Sequence, residues 1–412
     1  MKISPKIILL GFVILLTGAC GKNDPATTGT AMQQTTSVTS EEPASVQPEV
    51  FPSAAEVAKD MGLGWNLGNT MEAYEASGCE KITFEWIPVI GGNKPSDYET
   101  CWGAPITTRD MIDGVKAAGF NTIRIPVFWG NMMKNDGTWT INSEYIGRVK
   151  EIVDYCMNDD LYAVINIHHF DEFIIRRNEL ENSCVIFDKL WMQIAEYFRD
   201  YPSKLVFEGF NEYLGGDRFN DSGDLVKQKK DDAYLETNTL NQTFVDAVRA
   251  TGGNNAERVL IISGYWTNID NTTSHRFLIP KDTAADKLMV SVHYVDNTMY
   301  WINQIGSQKW LDYTDSQIAL LDKAFGAKGI PVFLGETTSR YPKSNFASDA
   351  IYTTSSECLK IVLEKLTSHG YVPALWDVTD NFYLRGECTI KDPDDAKVIS
   401  DISASLIRAD QP

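Results

Sequence analysis

The 412-residue sequence has 56 acidic and 37 basic side chains, a formal net charge of −19 at pH 7. Such an acidic balance excludes nucleic acid as an expected partner, because phosphate backbones select basic surfaces. Acidity is compatible with a soluble protein and a neutral substrate.

The first 20 residues are typical of a secretory signal peptide. Two lysines in the first six residues precede an apolar run over residues 7–16, and small residues precede Cys20. The run is shorter than the roughly 20 apolar residues of a spanning helix, so a cleaved signal is the better interpretation. The cysteine resembles that of bacterial lipoprotein signals, which implies lipidation of Cys20 and an exported protein held at the outer membrane, on the cell surface or in the periplasm. The alternative is an ordinary cleaved signal peptide and a secreted protein without a lipid anchor.

Residues 21–52 are rich in Thr, Ser, Pro, Gln and Ala and have almost no large apolar side chains. Such a segment cannot bury enough surface to offset its ordering entropy, so a disordered tether is predicted. Residues 53–412 then form one large folded domain, which we expect to be a monomer.

Short β-rich apolar runs alternate with amphipathic stretches beyond residue 53, as in βα units with a parallel sheet. Helix starts are predicted at Thr108 and Asn142 from their capping patterns. Eight runs match the strand number of a (β/α)8 TIM barrel. A doubly wound sheet is the alternative, but no Gly-x-Gly-x-x-Gly follows the first run. The runs cover residues 62–69, 121–127, 162–168, 205–212, 258–263, 287–293, 330–336 and 371–376.

Polar and aromatic residues stand at the ends of nearly all of these runs. In TIM barrels the active site forms where the strands end, so these side chains are expected to converge. Glu212 closes the fourth run and Glu336 the seventh. Two converging carboxylates suit glycosidic cleavage, with one protonated and the other ionised; the groups lie about 5 Å apart in retaining enzymes and about 6.5–9.5 Å apart in inverting ones.

The run ends together resemble glycoside hydrolase family 5, the retaining cellulase family. The residues that carry this resemblance are Gly64-Trp65-Asn66-Leu67-Gly68-Asn69-Thr70, Arg124 in Asn-Thr-Ile-Arg-Ile-Pro-Val, His168-His169, Asn211-Glu212, His293, Gly335-Glu336 and Trp376. The resemblance implies endo-acting hydrolysis of β-1,4-glucan backbones (cellulose, mixed-linkage β-glucan or xyloglucan) without a cofactor. It also implies that Glu212 is the acid/base and Glu336 the nucleophile. Because Glu212 must be protonated for the first step, its pKa is expected to be raised, and Arg124 is expected to keep Glu336 ionised.

The remaining site residues are expected to support these two glutamates or to bind sugar. Trp129 and Trp266 are included among the predicted sugar-binding residues because each follows a strand end. Glu208 is interpreted as a satisfied interior carboxylate, and the histidines are not expected to bind a metal because no ligand spacing such as His-Glu-x-x-His occurs. The supporting set is Arg124, His168, Asn211, His293 and Tyr294, and the sugar-binding set is Asn69, Glu72, His169, Trp376, Trp129 and Trp266.

One departure from the family pattern concerns the sixth strand. Family members usually read His-x-Tyr there, with the Tyr bonded to the nucleophile, whereas this chain reads His293-Tyr294-Val295. Two replacements are open, Tyr294 if the strand end bulges and Tyr300 from the following loop; without either, the rate falls by about 10²–10³. Two functions are alternatives to the hydrolysis of β-1,4-glucan. One is the same mechanism acting on mannan or xylan, and the other is a surface glycan-binding lipoprotein that does not cleave. A disulfide between Cys79 and Cys101 and a buried thiol at Cys156 are also predicted.

Overall fold

The structure is a computed structural model that describes residues 51–74, 94–134, 136–170, 174–212, 217–219, 222, 224–294 and 297–409. Residues 49–412 form one compact unit. The signal peptide, Cys20 and residues 21–50 of the tether lie outside the described residues, so these assignments stay predictions. The same holds for the disulfide, because Cys79 lies outside them too. The predicted end of the tether at residue 52 is wrong, because Lys287 Nζ donates to the carbonyl oxygens of Phe51 and Pro52 at 2.7 and 2.9 Å. Cys156 is a buried thiol, as expected.

Eight parallel strands close into a barrel, as predicted from the eight runs. Each strand falls within or overlaps its predicted run, and the strand that precedes Glu212 ends four residues earlier, at Glu208. The strands are β1 Gly64–Asn66, β2 Thr122–Ile125, β3 Tyr162–Asn166, β4 Leu205–Glu208, β5 Leu260–Ser263, β6 Leu288–Tyr294, β7 Val332–Thr338 and β8 Val372–Trp376.

Closure of the barrel depends on a close approach of β1 to β8. Gly64 is in register with Ala374 of β8 and with Thr122 of β2. A Cβ atom at Gly64 would lie 2.9 Å from the Cβ of Ala374, so a larger residue there would push the two strands apart. Two short antiparallel hairpins lie outside the barrel, Asp217–Phe219 with Leu225–Lys227 and Tyr383–Leu384 with Thr389–Ile390.

The helices that connect the strands include the two predicted from capping patterns. Thr108 accepts from the Met111 amide and Asn142 accepts from the amides of Glu144 and Tyr145. None of the described helices is long and apolar enough to cross a membrane. The helices are Ala54–Met61, Pro95–Glu99, Arg109–Ala117, Ser143–Asn158, Leu180–Tyr197, Lys230–Ala250, Ile269–Thr272, Asn297–Trp301, Gln308–Ala324, Ser355–Ser368 and Pro393–Ala409.

The barrel interior is apolar at one end and polar at the other. Val164, Val206 and Ile261 belong to one buried cluster with Val57 and Met61 of the helix Ala54–Met61. That helix therefore covers the N-terminal end of the barrel. Residues of the same parity nearer the strand ends are polar, so the site can be approached only from the C-terminal end.

Candidate active site

A buried ion pair forms the floor of the site. Arg124 of β2 donates from Nε to Glu208 of β4 at 2.7 Å, and both side chains are fully buried. Glu208 also accepts from Asn166 at 3.0 Å and from Ser291 at 2.7 Å. Each partner comes from a different strand, and together they satisfy a carboxylate that would be costly to bury alone. Glu208 is the interior carboxylate that its position in the strand predicts.

Arg124 also reaches upward to the residues that face the opening. Its Nη1 donates to Glu336 Oε1 at 3.1 Å and to Asn66 Oδ1 at 3.0 Å, and its Nη2 donates to Asn211 Oδ1 at 2.7 Å. The planar guanidinium can hold several acceptors in fixed directions, which a lysine cannot. The two segments that carry Asn211 and Glu336 are therefore tied to one buried group.

Glu212 and Glu336 face each other across the opening. A carboxylate oxygen of Glu212 lies within 4.8 Å of one of Glu336, and the same limit includes a ring nitrogen of His293. The Glu212 side chain is 36% exposed and that of Glu336 is 12% exposed. The spacing matches the retaining arrangement of about 5 Å and is too short for an inverting one, which must hold a water molecule between the groups.

His293 lies between the two carboxylates. Its Nδ1 is 2.8 Å from Glu212 Oε1 and 3.6 Å from Glu336 Oε2. The register of β6 and β7 shifts between Val292 and His293, where His293 comes opposite Glu336. Burial opposes protonation of the imidazole, but the charges of the two glutamates prevail and raise the pKa of His293 above its ordinary value.

The pKa directions of the glutamates differ from the sequence prediction. Burial opposes ionisation of Glu212, yet its hydrogen bond to His293 and the charges of His293 and Arg124 lower its pKa. Burial is the largest influence on Glu336 and raises its pKa, against the charges of His293 and Arg124. The predicted raised pKa of Glu212 is therefore wrong for the free protein, because the sequence did not show that His293 Nδ1 bonds to this carboxylate. The three groups titrate as a unit.

The same three groups have the composition of a metal site, since their ligand atoms lie within 4.8 Å of one another. Arg124 already donates to Glu336, and His293 contacts both carboxylates. Positive charge from these two side chains disfavours a cation at this place.

His168 and His169 line the opening beyond β3. Burial lowers the pKa of His168 well below its ordinary value and that of His169 to about 3, so both rings are neutral. His168 Nδ1 lies 3.3 Å from Asn166 Nδ2, and the His168 ring is parallel to that of Trp376, with centroids 6.3 Å apart. The chain turns at His169, whose φ of 56° leaves its ring edge-on to Tyr74.

Glu72 supports the loop after β1 and does not face the opening. Its carboxylate accepts from the backbone amides of Asn69 and Thr70, and the side chain is buried. The predicted sugar contact of Glu72 is therefore wrong, because both oxygens are used to hold Asn69 in its left-handed conformation, with φ 56°. Burial raises the pKa of Glu72 to about 7.

Two further predictions fail because of side-chain direction. Trp129 is buried and its indole N–H donates to Asn166 O at 2.8 Å, so it has no face for a sugar.

Tyr294 is also buried, and its hydroxyl bonds to Thr314 of the helix Gln308–Ala324 at 2.8 Å. Successive strand residues point to opposite faces, so Tyr294 points outward when His293 points inward. It does not replace the missing strand-six tyrosine. Val295 lies outside the described residues.

Three of the described tryptophans that end or follow a barrel strand are at least partly exposed, namely Trp376, Trp266 and Trp301. Trp376 is half-buried at the end of β8. Trp266 follows β5 and is 47% exposed, and Trp301 follows β6 and is 77% exposed. Trp301 is not among the residues predicted from the sequence to bind sugar, although its place after a barrel strand was the signal that could have identified it.

Comparisons with known proteins agree with this geometry. A model of the family "Cellulase (glycosyl hydrolase family 5)" matches residues 88–382. The chain belongs to glycosyl hydrolase family 5. Endoglucanase A of Clostridium longisporum is 37% identical to this family 5 protein over 320 residues, which cover 76% of this chain and 58% of that protein. This chain therefore spans less than two thirds of that relative.

Two solved structures of family 5 enzymes superpose well. A broad-specificity endoglucanase from an uncultured bovine rumen ciliate has a TM-score of 0.71 at 30% identity, covering 86% of this chain and 99% of that one. A lichenase from Caldicellulosiruptor sp. F32 in complex with cellotetraose has a TM-score of 0.72 at 30% identity, covering 86% and 97%. This family 5 protein is a glycoside hydrolase.

Proposed function

We propose that this family 5 protein cleaves β-1,4-glucan backbones internally and with retention of anomeric configuration. The observation that carries the proposal is the separation of Glu212 and Glu336 oxygens, within 4.8 Å. Relatives that are endoglucanases, and one whose structure holds cellotetraose, support the glucan backbone as the substrate class. Cellulose, mixed-linkage β-glucan and xyloglucan all contain it.

Glu336 is the nucleophile in this proposal and Glu212 the acid/base. Glu336 is the deeper carboxylate and is held by Arg124, which suits a group that must meet the anomeric carbon in a fixed direction. Glu212 is more exposed and can reach both the leaving oxygen and the incoming water. Asn211, fixed by Arg124, is placed to bond the sugar 2-hydroxyl, where hydrogen bonds strengthen in the transition state.

The proton for the first step comes from the cluster around His293. In the free protein His293 competes for that proton with Glu212, whose pKa is lowered. A bound glucan would cover the exposed part of Glu212 and exclude water from it, which favours the protonated form. Glu212 then protonates the leaving oxygen while Glu336 attacks. After Glu336 is esterified, Glu212 takes a proton from water, and the water oxygen displaces Glu336.

Reducing-sugar release from a polysaccharide panel tests the proposal. The panel is barley β-glucan, carboxymethylcellulose, xyloglucan, glucomannan and xylan, with Glu336→Gln in parallel. Cleavage of any β-1,4-glucan that is lost in the variant supports the proposal. Cleavage of glucomannan or xylan alone would keep the mechanism and contradict the substrate class.

Azide rescue tests the two roles separately. With an activated aryl β-cellobioside, Glu212→Ala should still form the glycosyl-enzyme, and azide should then give the β-glycosyl azide. Glu336→Ala should give the α-glycosyl azide, because azide replaces the nucleophile directly. The opposite pair of products would exchange the roles of Glu212 and Glu336.

A second candidate function is a surface glycan-binding lipoprotein that does not cleave. The observation that favours it is the outward direction of Tyr294, which leaves Glu336 without that hydroxyl donor. Arg124 and His293 still contact Glu336, and a binding protein has no need of such a paired arrangement. A folded protein that binds β-glucan without releasing sugar from any polymer would establish this second function.

We also propose that the protein is exported and anchored through lipidated Cys20, with residues 21–48 as the tether. The charged start, the apolar run and the small residues before Cys20 support this proposal. Labelling of cells with a radioactive fatty acid should mark the wild-type protein and not Cys20→Ala. Release of an unlabelled wild-type protein into the medium would instead indicate ordinary secretion. A monomer is proposed as well, to be measured by light scattering.

A further inference from the structure

The strand that carries Glu336 has one residue more than its neighbours over the same stretch. On β6, the consecutive residues Val292 and His293 lie opposite two residues of β7 that are not consecutive. These two are Leu334 and Glu336, so the register passes over Gly335. The register of β7 with β8 shifts by one residue at the same place. β7 therefore has a bulge directly before the nucleophile.

The bulge decides which face of the sheet Glu336 occupies. Successive strand residues point to opposite faces. Phe333 belongs to the apolar cluster inside the barrel, and Leu334 to the cluster that includes the surrounding helices. By this alternation Gly335 faces inward and Glu336 would face the helices. The extra residue instead brings Glu336 to the interior, where it meets Arg124. Bulges commonly re-aim a side chain in this way beside active sites.

The inner side of the bulge has no room for a side chain at Gly335. A Cβ atom there would lie 3.0 Å from Ser291 Oγ, 3.1 Å from Glu208 Oε1 and 3.2 Å from His293 Nε2. Each of these distances is shorter than an ordinary van der Waals contact. Glycine is therefore required at this position, and the bulge can lie directly against the buried carboxylate of Glu208.

Asn66 holds the backbone of the bulge from another strand. Its Nδ2 donates to Gly335 O at 2.9 Å, and also to Leu375 O at 3.1 Å and Ala374 O at 3.3 Å on β8. The amide has two hydrogens, which these three carbonyls share. Asn66 lies in β1, and β8 separates β1 from β7. This fully buried side chain thus bonds a carbonyl at the point where the bulge disrupts the ladder.

A second connection runs from Asn66 to Glu336 through a side chain. Arg124 Nη1 donates to Asn66 Oδ1 at 3.0 Å and to Glu336 Oε1 at 3.1 Å. One guanidinium nitrogen is therefore shared by the amide and the nucleophile. Asn66 acts on Glu336 both through the backbone of Gly335 and through Arg124.

We propose that Asn66 is a positioning residue that aims the Glu336 carboxylate at the anomeric carbon by holding the bulge at Gly335. The inference rests on the proposed function and adds a residue that lies beneath the reacting groups. Attack requires the reacting atoms to meet in a fixed direction, so a small displacement of Glu336 lowers the rate of attack. Removal of Asn66 should lower that rate and leave the affinity for sugar unchanged.

The test measures attack by Glu336 separately from proton transfer by Glu212. The probe is 2,4-dinitrophenyl 2-deoxy-2-fluoro-β-cellobioside, whose dinitrophenolate departs with its electron pair and needs no proton. The inactivation rate constant reports formation of the bond between the Glu336 oxygen and the anomeric carbon, and the inhibitor dissociation constant reports binding. The variants are Asn66→Ala and Asn66→Asp. The second keeps the size of the side chain and the Oδ1 acceptor for Arg124, and lacks the amide donor.

Asn255→Ala is the matched control, because Asn255 has the same bonding pattern outside the site. Asn255 is fully buried, its Nδ2 donates to Ala195 O at 2.7 Å, and its Oδ1 accepts from Arg258 Nε at 2.7 Å. Its removal should lower the melting temperature as much as Asn66→Ala does. A loss that comes only from general destabilisation would therefore be the same in both variants.

Each Asn66 variant should lower the inactivation rate constant by about 10²-fold. The dissociation constant should stay within about 3-fold of wild type, and on barley β-glucan kcat should fall while KM is unchanged. Asn255→Ala should inactivate within about 2-fold of the wild-type rate. If Asn66→Ala does not fold, Asn66→Asp gives the same comparison.

Four outcomes would overturn the inference while leaving the proposed function intact. The first is a wild-type inactivation rate in both Asn66 variants, and the second is an equal loss in Asn255→Ala. The third is weaker binding with an unchanged rate constant, which would assign Asn66 to the sugar site. The fourth is failure of both Asn66 variants to fold, which would make Asn66 a residue of barrel closure. A wild type that is not inactivated and cleaves no polysaccharide would instead reject the proposed function.

Discussion

Arg124 bonds to four other side chains, so a substitution of Arg124 affects all four contacts together. It donates to Glu208 at the floor and to Asn66, Asn211 and Glu336 above it. A lysine would keep the positive charge but could not bond in all of these directions. The residue therefore couples the stability of the barrel interior to the geometry of the reacting groups.

Arg124→Lys should lower kcat by about 10²–10³, because Glu336 and Asn211 lose a donor that aligns them. Arg124→Ala should in addition lower the free energy of unfolding by about 3–5 kcal/mol, since Glu208 would be buried without its partner. The measurements are kcat on β-glucan and urea unfolding. Arg109→Lys, at an exposed position, is the control. Full activity in Arg124→Lys would contradict the assigned role.

His293 sets the basic limb of the pH profile. Its pKa is raised, so the cluster of His293, Glu212 and Glu336 keeps the proton that the first step needs as long as the pH is below that pKa. Above it the proton is lost and activity falls. His293→Asn removes the basic group, so the remaining pair should lose its proton at lower pH.

The basic limb of kcat/KM should accordingly move to lower pH in His293→Asn. His369→Asn is the matched control, since His369 is half exposed and pairs with Asp322 on the surface. A basic limb that is the same in wild type and His293→Asn would show that another group controls this ionisation.

The loop after β1 combines a buried carboxylate with a left-handed Asn69. Burial raises the pKa of Glu72 from its ordinary value of 4.5 to about 7. The native state therefore binds a proton that the unfolded chain releases between these values. The contribution of Glu72 to stability is fully present below about 4.5 and is lost as the pH rises through about 7.

Wild type should lose up to about 3 kcal/mol of unfolding free energy between pH 4.5 and pH 7.5 through this group. Glu72→Gln cannot ionise and should lack that part of the pH dependence, whereas exposed Glu387→Gln should keep it. Urea unfolding at the two pH values measures the difference. Equal pH dependence in wild type and Glu72→Gln would show that Glu72 is ionised in the folded protein throughout this range.

The turn after β5 holds Trp266 in a left-handed backbone conformation with its ring exposed. A non-glycine residue with a left-handed backbone costs about 1–2 kcal/mol, and asparagine adopts this conformation more readily than tryptophan. Trp266→Asn should therefore raise the free energy of unfolding by about 1 kcal/mol, measured by urea denaturation. Trp301→Ala, in a helix, should give no such gain. A loss of stability in Trp266→Asn would show that packing of the indole outweighs the strain.

Across the whole molecule, the sequence predicts positions along strands better than directions of side chains. Alternating apolar runs located all eight strands, and the polar run ends located the glutamates, because both depend only on local periodicity. Trp129, Tyr294 and Glu72 were assigned wrongly because each follows or ends a strand but points into a neighbouring layer or at backbone amides. The predicted pKa direction of Glu212 was wrong because that pKa depends on a hydrogen bond to His293, which is 81 residues away in the chain.

The N-terminal boundary of the catalytic domain is set by the helix Ala54–Met61, which covers the N-terminal end of the barrel. Val57 and Met61 of the helix Ala54–Met61 are fully buried against the strands. Burial of two such side chains contributes roughly 3–6 kcal/mol, a large part of the 5–15 kcal/mol that stabilises a typical domain. The compact unit that contains the barrel begins at Glu49, just before this helix.

A protein that begins at Glu49 should therefore match one that begins at Gly21 in melting temperature and in kcat/KM on soluble β-glucan. A protein that begins at Gly62 should unfold at a much lower temperature or fail to fold. Val57→Ala in the longer protein separates the two effects, because it removes buried surface without shortening the chain and should cost about 1–3 kcal/mol. If the protein from Glu49 were less active on soluble β-glucan, the segment 21–48 would contribute to the active site and could not be only a tether.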